Sequence, residues 1–473
     1  MTEKATIGLI GLAVMGENLA RNFANHKIKT VVYNRTYAKT ENFLQRFGKE
    51  PFLAGTDSLE DFVAAIAKPR KIILMVKAGA PVDQMLKQLL PLLEKDDLIM
   101  DCGNSYYEDT IRRSKLLSNH GLRFMGIGVS GGEYGALHGP SMMPGGDISA
   151  YEEIEPLLTK VAAQAEGEAC VTYIGTDGAG HYVKMVHNGI EYADMQLIAE
   201  VYSIMKVVLR LSDAEMEKIW RGWNQGQLKS YLVEITADIL GKVDVHTQQP
   251  LLEEILDVAG QKGTGKWTSQ SALDLGVPVT TITAAVFARY MSARKAERRE
   301  ACRVLMTGEG LTEKGISQEK VLEDLAQALY AAKICAYAQG FSLLAEAAKH
   351  YNWQLDFAAI AKIWRNGCII RADFLNTISA SFAKKSTLKN LMLDDYFAKI
   401  LNASRPAWCR VVALAKEYEL AVPALSTALD YLDGYKTDYC NANLLQAQRD
   451  YFGAHTYERL DKTGIFHTEW QEK

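Results

Sequence analysis

The chain has 473 residues, of which 48% are hydrophobic and 23% are charged, and its formal net charge is -4. This length exceeds one ordinary hydrophobic core, so we expect two or three domains. The slightly negative charge argues against broad binding to nucleic acid or to an anionic membrane, although a local cluster of Lys and Arg could still bind a phosphorylated small molecule. No apolar run of roughly 18 residues occurs, so the sequence predicts no membrane-spanning helix.

The cysteines indicate the redox compartment. There are seven of them, they are scattered, and no C-x-x-C pair occurs. An odd and scattered set is typical of reduced thiols, so we predict a cytoplasmic protein. Each cysteine is expected to be a small buried apolar residue.

The first third of the chain alternates strand-like and helix-like segments. The strand-like runs, rich in β-branched residues, are ATIGLI, KTVVYN, KIILMV and DLIMDC. Amphipathic segments lie near residues 14–26, 37–48, 58–67, 80–94 and 107–120. This alternation predicts an α/β domain with a parallel sheet covered on both faces, that is, a Rossmann-like doubly wound domain.

A glycine-bearing turn follows the first strand and reads G-x-A-x-x-G, with Ala13 at the position where the dinucleotide fingerprint has its second glycine. The preceding strand, the following helix and a second strand about twenty residues on are the context that this fingerprint requires. We therefore predict dinucleotide binding rather than a merely structural turn. The candidate cofactor residues here are Gly11, Leu12, Ala13, Val14, Met15 and Gly16.

The end of the second strand indicates which cofactor binds. NAD enzymes usually place an acidic residue there, whereas this chain has Asn34, Arg35 and Thr36. A guanidinium pairs with a 2′-phosphate that a carboxylate would repel, so these residues predict NADP. The alternative is a solvated loop arginine. Ligands of such sheets lie beyond the carboxyl ends of the strands, so Val76, Lys77, Ala78 and Asn104 are expected to border the nicotinamide.

The segment 127–135, IGVSGGEYG, is glycine-dense and is expected to be a loop. Backbone N–H groups in such a loop can hold an anion, and the alternative is a plain irregular loop. After Gly178 the sequence enters a helix pattern that continues to about Leu211 and is apolar on most sides. Residues three and four apart share a helix face, and one such face carries Lys184, His187, Asn188 and Glu191. Polar groups on a mostly buried helix need partners or a polar cavity. The alternative is a solvated Lys/Glu pair.

Beyond residue 192 the pattern is helical almost throughout, which predicts a large all-α domain. Ser212–Glu215 is typical of a capping box, and the charged run 293–300 is typical of a solvated helix face. The sequence KIWR occurs at 218–221 and again at 362–365, which suggests a duplicated helical unit. From about Gly434 the helical periodicity is lost, so we expect a polar C-terminal tail.

The segment GQKGTGKW at 260–267 is close to a nucleotide-triphosphate loop, but Trp267 occupies the Ser/Thr position and the preceding residues 251–259 are typical of a helix. We expect instead a loop that closes over a phosphorylated substrate with Lys262 and Lys266.

The ordered motifs GLAVMG, NRT, DCGNS, VSGGEYGA, GAGHYVKMVHNGIEY and AGQKGTGKWT resemble the decarboxylating, NADP-linked 6-phosphogluconate dehydrogenase family, within the β-hydroxyacid dehydrogenase superfamily. The resemblance covers nearly the whole chain. It implies an NADP-binding domain at 1–177, a helical substrate and dimerisation domain at 178–433 and a tail at 434–473. The tail would reach a second subunit of a homodimer. The residues that the resemblance assigns to the substrate are Asn104, Ser130, Gly131, Gly132, His187, Asn188, Tyr192, Lys262 and Arg289, with Arg449 and His455 from the partner's tail.

The implied reaction is the pentose phosphate pathway step from 6-phosphogluconate to ribulose 5-phosphate, CO2 and NADPH. It needs no metal, because the keto group formed at C3 delocalises the charge left by the carboxylate. Lys184 is expected to be the base and acid, and Glu191 the proton donor to the enol. The alternatives are a β-hydroxyacid dehydrogenase without decarboxylation and a catalytically silent NADP sensor.

Overall fold

The computed structural model describes residues 3–49, 51–305 and 317–471. The chain divides into two compact units, Met1–Ala428 and Leu429–Lys473. In the part of the chain that is described, no helix is both long enough and apolar enough to cross a membrane.

The first unit begins with a seven-stranded sheet in the order β3-β2-β1-β4-β5-β6-β7. The strands are β1 (Ile7–Ile10), β2 (Thr30–Tyr33), β3 (Leu53–Gly55), β4 (Lys71–Leu74), β5 (Leu98–Asp101), β6 (Arg123–Val129) and β7 (Met142–Gly146). The helices among them and just after are α1 (Val14–Asn25), α2 (Tyr37–Phe47), α3 (Leu59–Ala64), α4 (Ala80–Leu89), α5 (Tyr107–Ser118), α6 (Gly132–His138) and α7 (Ile148–Val161). A short hairpin, β8 (Gln164–Ala165) and β9 (Glu168–Ala169), follows. Strands β1 to β6 pair in parallel and β7 runs antiparallel to β6, which confirms the doubly wound α/β domain.

Both faces of this sheet are buried, as a parallel sheet requires. Successive residues of β4 alternate between two apolar clusters: Ile73 belongs to one, and Ile72 and Leu74 belong to the other. Because successive side chains of a strand point to opposite faces, the two clusters lie on opposite sides of the sheet. The sheet is therefore packed on both sides, and the carboxyl ends of its six parallel strands lie along one edge.

The rest of the first unit is helical, which confirms the expected large all-α region. Its helices are α8 (Ala179–Val207), α9 (Asp213–Trp223), α10 (Tyr231–Leu240), α11 (Thr264–Asp274), α12 (Thr280–Ser292), α13 (Lys295–Val304), α14 (Gln318–Tyr351), α15 (Phe357–Ile363), α16 (Phe374–Lys384), α17 (Asp395–Glu417) and α18 (Pro423–Tyr435), the last of which continues into the second unit. The capping box at Ser212 and Glu215 is present. Helix α13 buries none of its residues, as expected for the charged run. The repeated KIWR sequences begin inside α9 and α15, and the duplication stays a prediction.

The structure corrects several expectations about local structure. Strands β3, β6 and β7 were not predicted, and segment 127–135 is not a loop: it consists of the end of β6, a turn at Ser130 and Gly131, and the start of α6. The glycines of β6 have a packing reason, since a Cβ at Gly128 would lie 2.4 Å from Cβ of Lys184. The strand thus carries glycine so that α8 can lie directly against it.

Other corrections concern helix ends and cysteines. Helix α8 ends at Val207 rather than near Leu211, and only a 3-10 turn, Leu251–Glu254, forms in the segment expected to be helical at 251–259. All seven cysteines are free thiols, and four are buried as expected, but Cys409 is half-buried and Cys302 and Cys440 are exposed.

The second unit is not the irregular tail that its composition suggested. It contains α19 (Ala442–Gly453) and a hairpin of β10 (Tyr457–Glu458) and β11 (Ile465–Phe466). The buried carboxylate of Asp450 accepts hydrogen bonds from His467, Thr468 and Trp470. Contacts between residues distant in sequence order this segment, which is why helical periodicity alone did not find it.

Candidate active site

Helix α8 brings its predicted polar stripe, which consists of Lys184, His187, Asn188 and Glu191, to the edge of the sheet. In its first turn Gly180 has no room for a side chain, because a Cβ there would lie 2.3 Å from the carbonyl oxygen of Met143 and 2.4 Å from that of Gly126. The start of α8 therefore contacts β6 and β7 directly. This close approach places the next turn, with Lys184, beside Ser130 at the end of β6.

Lys184 is buried, with 5% of its surface exposed. Its Nζ donates to Oδ1 of Asn188 at 2.6 Å and to Oγ of Ser130 at 3.2 Å. Burial lowers the pKa of Lys184 from the ordinary lysine value, and the nearby carboxylate of Glu191 opposes this shift. The contacts show that the stripe is a buried cluster, which excludes the solvated Lys/Glu pair.

His187 joins the same cluster and is completely buried. Its Nδ1 lies 3.0 Å from Oδ1 of Asn188 and its Nε2 lies 3.2 Å from Oγ of Ser130. Burial, followed by the charge of Lys184, lowers the pKa of His187 well below its ordinary value, so the imidazole is neutral at pH 7. With the proton on Nδ1, the ring donates to Asn188 and accepts from Ser130. The side chains around Lys184 are thereby held in one arrangement.

Glu191 lies two turns after Lys184 on α8. Its carboxylate is 3.8 Å from Nδ1 of His187, and 21% of the side chain is exposed. Burial raises the pKa of Glu191, while Lys184 and Arg289 act in the opposite direction and Asp194 adds to the increase. The site therefore combines a lysine that is less basic than usual with a carboxylic acid that is less acidic than usual, the pairing that general acid–base chemistry requires.

A cavity of about 610 Å³ lies in front of these groups. The predicted catalytic and substrate residues that line it are Asn104, Ser130, Gly131, Gly132, Lys184, Asn188, Glu191, Tyr192, Lys262 and Arg289. Met15, which we had assigned to the cofactor, lines it as well. Residues from the sheet edge, from α8 and from the 260–263 loop thus converge on one space.

Several residues of this cavity were not predicted. Thr264 at the start of α11 accepts a hydrogen bond from Nδ2 of Asn188 at 3.2 Å, and Ile369 adds an apolar wall. Arg289 places its guanidinium 3.5 Å from the centre of the Tyr192 ring and donates to the carbonyl of Gly260 at 3.0 Å. The remaining unpredicted lining residues are Val129, Gly260 and Gln261. The KGTG sequence could have suggested Thr264, but nothing in the sequence indicated Ile369.

A second cavity, of about 390 Å³, lies beyond the ends of β1, β2 and β4. Predicted cofactor residues that line it are Gly11, Leu12, Ala13, Asn34, Arg35, Thr36, Val76 and Lys77. Gly11 has φ +105°, and a Cβ there would lie 2.4 Å from the carbonyl oxygen of Met75. Val14, Gly16, Ala78 and Asn104 do not line this cavity, and Gly16 instead packs against the carbonyl of Gly11.

The shape and chemistry of this cavity suit a dinucleotide. Asn34 fixes the turn by accepting from the backbone N–H of Leu12 at 3.1 Å, and α1 begins directly after, so its N-terminal dipole faces the cavity. Arg35 and Lys39 are exposed at the rim, and the described residues include no acidic partner for either one. Lys39, Gln84 and Gln88 were not predicted, although an extra cation one turn after Arg35 is a signal that the sequence contained.

Arg449 and His455 belong to the second unit and are both exposed. Nη1 of Arg449 donates to Oε1 of Gln446 at 3.1 Å, and His455 follows the C-terminal end of α19. Their assignment to a substrate stays a prediction.

Comparison with known proteins identifies the family. A profile of the 6-phosphogluconate dehydrogenase C-terminal domain matches residues 180–470, and one of the NAD binding domain of 6-phosphogluconate dehydrogenase matches residues 6–175. The chain belongs to the 6-phosphogluconate dehydrogenase family. The predicted resemblance is confirmed, and with it the enzyme class, a decarboxylating oxidoreductase.

Individual 6-phosphogluconate dehydrogenases are similar over the full length. An NADP(+)-dependent, decarboxylating enzyme of Bacillus subtilis (strain 168) is 54% identical, with 99% of this chain and 100% of the relative covered. An NAD(+)-dependent enzyme of the same strain is 53% identical, with 99% of each chain covered. The Plasmodium falciparum 6-phosphogluconate dehydrogenase, whose structures include complexes with NADP+ and with 6-phosphogluconate, superposes with a TM-score of 0.95 at 44% identity, covering 98% of this chain and 100% of that chain. Because the NADP- and NAD-dependent relatives are almost equally similar, identity alone does not assign the cofactor.

Proposed function

We propose that the protein catalyses the NADP-dependent oxidative decarboxylation of 6-phospho-D-gluconate to D-ribulose 5-phosphate, CO2 and NADPH. The observation that carries the proposal is the buried Lys184, whose ammonium donates to Asn188 and Ser130 in a cavity that also contains Glu191. The family supports a decarboxylating dehydrogenase, and the assignment of roles to these residues is ours.

Lys184 is the base for oxidation. An ordinary lysine, with a pKa of about 10.4, is almost fully protonated at pH 7 and cannot accept a proton. Burial lowers the pKa of Lys184, so a larger fraction is neutral. Two N–H groups of the neutral amine can stay bonded to Asn188 and Ser130, which leaves the lone pair free for the C3 hydroxyl of the substrate. Bound NADP supplies the hydride acceptor for C3.

Decarboxylation then proceeds without a metal in this scheme. Once C3 is a ketone, the bond between C1 and C2 of the substrate breaks, and its electron pair moves through C2 to the ketone oxygen. Lys184, protonated in the first step, returns its proton to that oxygen. Glu191 then protonates the carbon that becomes C1 of ribulose 5-phosphate, while Lys184 takes back the proton of the enol oxygen so that the C2 ketone of the product forms. Return of that proton from Lys184 to Glu191 restores both groups. The raised pKa of Glu191 supports this role, since an acid must still hold its proton when it is needed.

We infer NADP rather than NAD from Arg35 and Lys39 at the rim of the second cavity. Two cations without acidic partners among the described residues suit a 2′-phosphate, whereas an NAD site normally has a carboxylate at this strand end. Lys262 and Arg289 line the substrate cavity, where their charges favour an anionic substrate.

We further propose that the protein works in the cytoplasm as a homodimer. In this proposal residues 1–177 bind NADP, residues 178–433 bind substrate and mediate dimerisation, and residues 434–473 reach the partner subunit. There Arg449 and His455 would bind the phosphate of the substrate in the partner's cavity. Their exposure in the second unit supports a role towards another molecule rather than within the chain.

One assay tests the proposed reaction. Purified protein is incubated with NADP and 6-phosphogluconate while NADPH absorbance and CO2 release are followed. We expect one NADPH and one CO2 per substrate consumed. NADPH without CO2 would indicate a β-hydroxyacid dehydrogenase that does not decarboxylate, and NADP binding without turnover would indicate a sensor. Either outcome would overturn the proposal.

A further inference from the structure

The carboxylate of Asp450 is the centre of the second unit. Its surface exposure is 0%, although most of its neighbours in this segment are exposed. Oδ1 accepts from the backbone N–H of Thr456 at 2.9 Å and from Nδ1 of His467 at 2.8 Å. Oδ2 accepts from the backbone N–H of Thr468 at 3.1 Å and from Nε1 of Trp470 at 2.8 Å. One side chain thus connects α19 to the segments before and after the hairpin.

A negative charge at the position of Asp450 would be unfavourable without its hydrogen bonds. It lies in the last turn of α19, where the helix dipole disfavours a negative charge. The hydrogen bonds from His467, Trp470, Thr468 and Thr456 outweigh that effect and lower the pKa of Asp450 to about 2, although burial alone would raise it. The carboxylate is therefore ionised at any physiological pH, and its contacts are charge-assisted.

The residues held by Asp450 surround Arg449 and His455. Arg449 precedes Asp450 directly, and the backbone N–H of Ala454 donates to the carbonyl of Asp450 at 2.9 Å. Thr456 is held on both sides, because its N–H donates to Asp450 and its carbonyl accepts from Nε2 of Gln446 at 2.6 Å. His455 lies between these two anchored residues.

The same hydrogen-bond network includes the guanidinium of Arg449. Gln446, which binds the carbonyl of Thr456, accepts from Nη1 of Arg449 at 3.1 Å. Ala454 and Thr456 have φ values of +47° and +62°, which side-chain-bearing residues rarely adopt because the conformation is strained. Such a conformation persists only where its surroundings enforce it, and here the anchors are Asp450 and Gln446.

We propose that Asp450 is a positioning residue for phosphate binding: it fixes the turn that presents Arg449 and His455 to the substrate of the partner subunit. The inference rests on the proposed function, since it assumes that these two residues bind the phosphate. Asp450 itself is buried and paired, so it does not touch the substrate. Its role is to present two cationic or hydrogen-bonding side chains in a fixed geometry, so that phosphate binding need not first order the turn.

The test compares substrates with and without the phosphate in the full-length enzyme. The kcat and KM are measured for 6-phosphogluconate and for gluconate in wild type, Asp450→Asn, Arg449→Gln/His455→Asn, and the combination of all three substitutions. The matched control is Tyr451→Phe, which removes an exposed hydrogen bond to Gln471 from the neighbouring residue of α19.

We expect Asp450→Asn to raise the KM for 6-phosphogluconate about tenfold or more, the scale of one lost charge-assisted contact. The kcat, the KM for NADP, the dimer content and the rate with gluconate should stay within about twofold, and Tyr451→Phe should behave as wild type. In the Arg449→Gln/His455→Asn background, Asp450→Asn should have no further effect on the preference for the phosphorylated substrate, because residues that act through one another are not additive.

An unchanged KM in Asp450→Asn would overturn the inference, as would a full additional loss in the combined variant. A parallel fall in kcat and dimer content would assign Asp450 a purely structural role. If Asp450→Asn does not fold, Trp470→Phe, which removes one of the donors but keeps an aromatic ring, decides by the same criteria with a smaller expected increase. If Arg449→Gln/His455→Asn keeps the phosphate preference, the tail's substrate role is wrong and this inference falls with it, whereas the release of NADPH and CO2 tests the reaction independently.

Discussion

Nζ of Lys184 lies 2.6 Å from Oδ1 of Asn188, one helical turn further along α8. This contact holds the amine in a buried position, where burial destabilises its charged form. The effect should be measurable in the free energy of unfolding. Because the pKa of Lys184 is lowered on folding, the unfolded chain binds this proton more tightly than the folded chain does. Folding is therefore opposed at every pH below the folded-state pKa, and the opposition fades as pH rises towards the ordinary lysine value.

We predict that Lys184→Met raises the free energy of unfolding by about 1 kcal/mol at pH 7, because it removes the cost of burying a charged group at a functional site. The gain should shrink as pH is raised towards about 10.4, the value of an unperturbed lysine. Urea unfolding of wild type and of Lys184→Met at several pH values measures this difference in the free energy of unfolding. A gain that grows with pH would have the wrong sign and would refute the electrostatic explanation.

A second prediction concerns the buried ion pair beside the active site. Nζ of Lys333 on α14 lies 2.6 Å from each carboxylate oxygen of Asp194 on α8, and neither side chain is more than 1% exposed. Lys333→Met should destabilise the protein by about 3–5 kcal/mol, because it leaves a buried charge without a partner.

The matched variants separate pairing from packing. Lys333→Met/Asp194→Leu removes both charges and should recover most of that loss, whereas Lys349→Met breaks an exposed pair with Glu346 and should cost less than about 1 kcal/mol. Chemical denaturation measures all three. If the double variant were as unstable as Lys333→Met, lost packing rather than the unpaired charge would explain the effect.

The third prediction concerns the cofactor. Arg35→Glu should weaken NADP binding by at least about tenfold while NAD binding changes far less, because repulsion replaces a charge-assisted contact with the 2′-phosphate. Lys39→Glu should act in the same direction. Lys87→Glu on α4, an exposed charge reversal outside the cavity lining, is the control. Titration of each variant with NADP and with NAD measures the two affinities. An equal loss of affinity for NADP and NAD would mean that Arg35 has only a structural role.

The fourth prediction tests whether the site is built from two subunits. Subunits with Arg449→Ala are mixed with subunits with Lys184→Ala, and heterodimers are isolated. If the tails cross, one site of each heterodimer carries both defects and the other carries neither, so activity at low substrate should return to about half of the wild-type value. If each tail serves its own subunit, every site keeps one defect. Verified heterodimers without recovery would therefore exclude the shared site.

The sequence predicted the features that depend on local periodicity. The strands that precede the glycine turn and the Arg35 turn follow from short runs of β-branched and apolar residues. The polar face of α8 follows from the helical period of 3.6 residues, and the structure has all of them. Lys184, His187, Asn188 and Glu191 could be grouped because neighbours on a helix face are fixed by the helix itself.

The features that were missed depend on contacts distant in sequence. The hydrogen bond from Asn188 to Thr264 joins residues on α8 and α11, and Asp194 pairs with a lysine on α14 whose surrounding sequence is apolar. The order of the second unit depends on Asp450, whose hydrogen-bond partners come from two separate stretches, Thr456 and residues 467–470. Segment 127–135 was misjudged because its glycines suggested a loop, whereas Gly128 lies in a strand and is needed for the close approach of α8.

The division of labour between Lys184 and Glu191 is the central claim, and a 3-keto analogue that needs no oxidation tests it most directly. Decarboxylation of the analogue and proton delivery to C1 are followed in wild type, Lys184→Ala and Glu191→Ala, alongside hydride transfer from 6-phosphogluconate. We predict that Lys184→Ala abolishes hydride transfer, while Glu191→Ala mainly slows proton delivery to C1. Wild-type processing of the analogue by Glu191→Ala would contradict the assignment of Glu191 as the proton donor.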